Sequence, residues 1–232
     1  NLEGVTWATN SAGTATTQAW TPGGIAYFAA GNDAIGVYTV YVSGTQQVAD
    51  IHVQRGSVSF QGGAVNMSAS DNNNTNRLLS AGHDDPNATA IFNTILTGAY
   101  GISCYQRGTI VFNVTNTYAG PTVIEGGVLR LGAPNVIPPG SMLVLSNNDA
   151  RTDVADMGLT NTPATFVTDG FSQQLGPLLL NGPNPNCPRT IDFGDGATAL
   201  AFANSSGQSW ISKEGLDIPL YISNFSSGID TM

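Results

Sequence analysis

Short runs in which every second residue is apolar recur along the chain and are broken by turn formers before a helix could be built. The clearest lie between Gly108 and Gly132, GTIVFNVTNTYAGPTVIEGGVLRLG. Ile110, Phe112 and Val114 alternate in one run and Leu129 and Leu131 in the other, so each strand turns one row of aliphatic side chains inward. Asn116-Thr117 and Ala119-Gly120-Pro121 flank Tyr118 as corners, and Gly126-Gly127 offers positive-φ geometry just before the next strand. The unit reads strand, corner, short strand, corner, strand.

The same grammar appears elsewhere. Val53, Gly56, Val58 and Phe60 reproduce the offsets of Ile124, Gly127, Leu129 and Leu131, and Gly108, Ile110 and Phe112 read as a weaker copy of the glycine-led strand, as do Gly140, Met142 and Val144. Val37 to Val42 alternates with Tyr38, Val40 and Val42 on one face. Further strands are expected at Arg77–Leu79, Thr89–Leu96, Tyr100–Cys104, Ala164–Val167, Leu175–Leu180, Ala199–Ala203 and Leu216–Phe225. Polar loops are expected at Ser68–Asn76, Gly82–Asn87 and Asn147–Thr162. Repeated corner-plus-strand units at irregular spacing predict like stacked on like, about ten coils at roughly 4.8 Å each.

These units carry a family resemblance. Thr109–Phe112, Asn116–Gly120, Thr122–Ile124 and Gly127–Gly132 fall in register with G-x-L-x-L, N-T-Y-x-G and T-x-I-x-x-G-x-L-x-L-G. That pattern is similar to the autotransporter-associated β-strand repeat, also called the passenger-associated transport repeat. Further on, Asp192–Gly196, Leu200–Ser206 and Trp210 resemble the segment that follows such repeats in large exported proteins of environmental Gram-negative bacteria. The resemblance implies an all-β, right-handed parallel β-helix, or β-solenoid, secreted or displayed on the cell surface; it implies no enzymatic activity. One domain over residues 1–232 is expected, with 1–30 as an N-terminal cap, 48–146 as core repeats and 190–232 as the C-terminal repeat-associated segment. In the cap, Trp7, Trp20 and Phe28 would cover apolar edges.

Composition narrows the partners. With 28 glycines, 12 prolines and 10% charged residues, the chain fits an extracellular all-β protein. Its net charge of −9, with 7 basic against 16 acidic residues, repels phosphate backbones and anionic lipid, so neither nucleic acid nor membrane insertion is expected. Asn1 does not begin a signal peptide, so the chain reads as mature or trimmed. Cys104 and Cys187 lack metal-like spacing and are a disulfide candidate; two separate buried thiols are the alternative.

Candidate chemistry is sparse. Asp71 and Asn73 in one loop, and Asp149 and Asp153 in another, are weak calcium candidates that lack the pattern of an EF-hand; no other cofactor is expected. His52 reads as a solvent-facing strand residue, and His83-Asp84-Asp85 as a loop. Glu3, Glu125 and Glu214 are scattered, and no paired carboxylates, nucleophile elbow or Cys/His dyad stands out, so no catalytic residue is assigned. Two functions are weighed. One is a structural subunit that docks with copies of itself into a surface fibre or layer, its assembly candidates being Val5 and Trp7 at one end and Leu216, Ile218, Leu220 and Ile222 at the other. The second is an adhesin passenger whose polar loops meet a surface or glycan.

Overall fold

A computed structural model of the chain describes residues 7–8, 14–28, 36–67, 76–147, 162–212 and 215–232. Two short strands, β1 (Trp7–Ala8) and β2 (Thr17–Gln18), pair antiparallel. Most of the remaining strands form two parallel ladders, in each of which a strand pairs with the next-but-one strand or a later one along the chain.

The first ladder runs through β3 (Gly24–Phe28), β5 (Thr45–Val53), β7 (Asn76–Ala81), β9 (Gly101–Tyr105), β11 (Thr122–Ile124), β13 (Leu143–Leu145) and β16 (Leu178–Leu180). The second runs through β4 (Val37–Tyr41), β6 (Ser57–Asn66), β8 (Thr89–Thr97), β10 (Thr109–Phe112), β12 (Gly127–Leu131), β14 (Ala164–Val167), β17 (Arg189–Asp192) and β19 (Leu220–Ser223). Long β5 and β6 join the two, because Thr45–Gln47 pairs with Ala64–Asn66 beyond a register shift in β6. The result is a thirteen-strand, all-parallel path from β16 to β19 that curls nearly closed. Beside it, β15 (Gln173–Leu175) pairs parallel with β18 (Leu200–Phe202).

Register explains why these residues share a core. In the first ladder Ala26, Ile51, Leu79, Cys104, Ile124, Leu145 and Leu180 are successive partners. In the second, Tyr38, Val58, Ala90, Ile110, Leu129, Phe166, Ile191 and Ile222 follow one another. All but the two ends of that second column are buried, and the buried members of both columns belong to one apolar cluster. Alongside runs an aromatic line: Phe28 meets Phe60 edge-on, Phe60 stacks on Phe92 at 4.9 Å, and Phe92 meets Phe112 edge-on. At its end Trp7 lies 4.8 Å from Trp20 and 5.6 Å from Phe28, with both indoles packed against the cluster.

Three expectations need correction. Among the described residues the longer ladder holds eight strands rather than about ten coils, because successive members of its column stand 19 to 37 residues apart. Val144 pairs with Val123 and Leu179, so Gly140-Met142-Val144 copies the Thr122–Ile124 strand of the first ladder and not the glycine-led strand of the second. Ile124 aligns with Ile51 rather than Val53, although Leu129 and Leu131 do align with Val58 and Phe60.

The Asn-Thr-Tyr-Ala-Gly corner has a physical account. Beyond the end of β10, where the strand pairing stops, the buried Asn116 side chain bonds to the chain on either side: its Oδ1 accepts from Leu96 N–H at 2.8 Å and its Nδ2 donates to Val136 C=O at 2.9 Å. Tyr118 is buried with its hydroxyl 2.6 Å from Thr122 Oγ1, which lies 3.0 Å from Ser141 Oγ. Gly120 is required by close approach, since a Cβ there would stand 2.2 Å from Gly101 N. Gly127 is required twice over, by φ of +69° and by the Gln106 and Gly108 carbonyls. Asn116→Ala leaves the buried Leu96 N–H without its acceptor, while Val136 C=O keeps the backbone N–H of residue 116 at 3.0 Å; a loss of about 1 to 3 kcal/mol is expected in urea unfolding, with Asn116→Asp restoring the acceptor for Leu96 but not the second donor to Val136.

Candidate functional site

Working from the buried column outward, the surface that differs from the rest lies where the second ladder ends. Within the described residues β19 has one neighbour, β17, so its other edge presents unpaired backbone N–H and C=O groups. Ile222 continues the column of Ile191 and Phe166, yet it is 41% exposed. Leu216, Tyr221, Phe225, Ile229 and Met232, in the same closing stretch of chain, are exposed as well. Trp7, at the other end, is half-buried and packed on Trp20 and Phe28, so the two ends are unequal.

Among the assembly candidates, Leu216 and Ile222 face solvent, Leu220 is half-buried against the core, and Ile218 is buried at 3% exposure. Ile218 turns inward because its N–H donates to Trp210 C=O, drawing the segment against the core. Val5, Asp71, Asn73, Asp149 and Asp153 lie outside the described residues. The exposed Tyr221 and Phe225 were not singled out by sequence; Tyr221 follows from the alternation of β19, which places it on the outer row with Thr190.

Cys104 and Cys187 are both buried, and no disulfide joins them in the structure. Cys104 sits in the first ladder's column, three strand spacings or about 14 Å from Leu180, and Cys187 lies in the corner that follows β16. Burial, with the Glu125 carboxylate adding to it, pushes the Cys104 thiol far up, which suppresses the reactive thiolate. Burial likewise raises Tyr118.

His52 is also corrected. It is 7% exposed, its imidazole stacked on Tyr27 at 4.7 Å and its Nδ1 2.7 Å from Ser80 Oγ. Burial, then the nearby Asp50, raises the Tyr27 phenol. Asp50 accepts Leu78 N–H at 2.6 Å, doing between rungs what Asn116 does elsewhere. His83 contacts Asp84, and Asp84 lies 3.5 Å from Arg55 Nε. Among the described residues no group of three His, Cys, Asp or Glu side chains gathers as metal ligands would.

The corner at 181–188 holds a feature that sequence reasoning missed. Arg189 is fully buried, and its guanidinium donates to the Asn181, Asn184 and Cys187 carbonyls and to Asn147 Oδ1. Its inward position in β17 pairs with Ala164 and Leu220, and the small alanine leaves room for the side chain. Burial lowers its pKa, while the ring of oxygens favours the cation. Comparison with family models, curated proteins and solved structures finds no match.

Proposed function

We propose that the chain is a non-enzymatic structural protein of the bacterial exterior, a right-handed parallel β-solenoid whose copies associate into an extracellular fibre or layer. Parallel register between each strand and one on a later turn of the chain supports the solenoid reading, as does the resemblance of Thr109–Gly132 to exported β-strand repeats. Self-association rests on one observation: the free edge of β19 lies beside a core column that reaches the surface at Ile222. Such an edge is a template for pairing with another chain, and lysine or proline within it would discourage that. The strand Leu220–Ser223 has neither, Pro219 standing just before it.

Sedimentation velocity and negative-stain microscopy, with and without calcium, test the proposal. Filaments or larger oligomers are expected for the native chain, and Ile222→Lys is expected to disperse them without lowering the melting temperature by more than a few degrees, since a lysine stem can lie along Ile191. Dispersed monomers of the native chain under every condition overturn it.

A further inference from the structure

The last two corners that lead into the second ladder enclose a surface groove. Pro185 and Asn186, from the corner before β17, form one side; Leu216, Asp217 and Pro219, from the corner before β19, form the other, with Tyr221 also lining it. Both walls are fixed from within. On one side Arg189 gathers the carbonyls of Asn181, Asn184 and Cys187, and Asn186 N–H donates to Asn184 Oδ1 at 2.9 Å. On the other, Asp217 bridges to Ile211, Ser212 N–H donates to Leu216 C=O at 2.8 Å, and Ile218 N–H donates to Trp210 C=O at 3.0 Å. A ligand therefore meets a preformed surface and little ordering cost.

The groups offered there are of three kinds. Tyr221 is 50% exposed and supplies an aromatic face. Asp217 and Asn186 are exposed, giving a carboxylate that accepts and an amide that both donates and accepts. Pro185, Pro219 and Leu216 add rigid apolar surface. Among the described lining residues none is basic and one carries a carboxylate, which disfavours phosphate, sulfate and acidic sugars. A molecule with an apolar ring face and a rim of hydroxyls matches all three kinds at once.

We infer that this groove binds a neutral sugar ring, which lies against Tyr221 while its hydroxyls bond to Asp217 and Asn186. The inference goes beyond self-association and does not require it, because Ile222 is not part of the groove.

Titration calorimetry with maltohexaose, cellohexaose, laminarihexaose and mannohexaose provides the test. Saturable binding is expected for at least one, at about millimolar dissociation constant or tighter. Tyr221→Ala and Asp217→Asn are each expected to weaken it about tenfold or more, whereas Tyr221→Phe stays within about threefold and raising sodium chloride from about 0.05 to 0.5 M changes little. Both side chains are exposed, so unchanged thermal unfolding of each variant separates lost contacts from lost fold. No saturable binding with any of the four sugars overturns the inference. So does binding that survives both Tyr221→Ala and Asp217→Asn, which would mean a ligand seated elsewhere.

Discussion

Leu129→Asp abolishes the cooperative unfolding transition, leaving a circular-dichroism spectrum without the native β signal at room temperature. Leu129 is fully buried, and its register partners are Ile110 on one side and Phe166 on the other, both buried. Removing the leucine from such a column costs about 2 to 5 kcal/mol. Placing a carboxylate there, with no donor among its column neighbours, adds several more. The sum approaches the whole stability of an ordinary domain, roughly 5 to 15 kcal/mol. One residue earlier the outcome reverses: Val128 lies on the outer row between Thr109 and Thr165, so Val128→Thr is expected to shift stability by less than about 1 kcal/mol. Retention of the native melt by Leu129→Asp would mean that the inward row has been assigned to the wrong residues.

That contrast marks what the sequence makes legible. Period-two alternation in Ile110/Phe112 and Leu129/Leu131 identifies the inward row because a strand has only two faces, and the glycine pair at 126–127 announces its corner because few other residues adopt φ of +69°. Pairing is less legible. Both ladders carry the same inward alternation, so pattern alone does not say that Leu143–Leu145 belongs beside Thr122–Ile124 instead of beside the glycine-led strands. The deciding quantity is how many residues each corner absorbs, and steps of 19 residues in one place and 37 in another leave no fixed period to read.

Polar residues inside the fold were the least legible. Asn116 reads as a turn former, yet it replaces ladder hydrogen bonds to both neighbouring rungs. His52 alternates with Ile51 and Val53 and so reads as solvent-facing, yet it is buried; what alternation does not convey is that Tyr27 covers this outer row. The exposed end surface was legible only in part. Leu216 and Ile222 follow from apolar character near the last strand, whereas the burial of Ile218 depends on a hydrogen bond to Trp210 that no local pattern specifies.

Arg189→Met shows how much of one corner depends on a single cation, and its expected cost is about 3 to 5 kcal/mol, read as a fall in melting temperature of roughly 10 °C. Methionine preserves most of the stem's volume against Ala164 and Leu220, so packing changes little. What is lost is the guanidinium that holds the carbonyls of Asn181, Asn184 and Cys187 together with the Asn147 amide. The proline-rich corner has no other described cation to gather these oxygens: Asn184 C=O keeps Cys187 N–H and Asn147 Nδ2, but the Asn181 and Cys187 carbonyls and Asn147 Oδ1 lose the guanidinium that held them. Arg189→Lys is expected to recover little, because a compact ammonium cannot span oxygens arranged around a planar fork. Thiol labelling separates opening of this corner from general loosening of the fold. Cys187 lies within the corner and Cys104 in the core column, both buried in the native chain. In the methionine variant the first is expected to react with a thiol reagent at least about tenfold faster while the second stays protected, as local unfolding confined to one segment requires. Equal reactivity of the two, or a native melt with both protected, would show that the corner stands without its arginine.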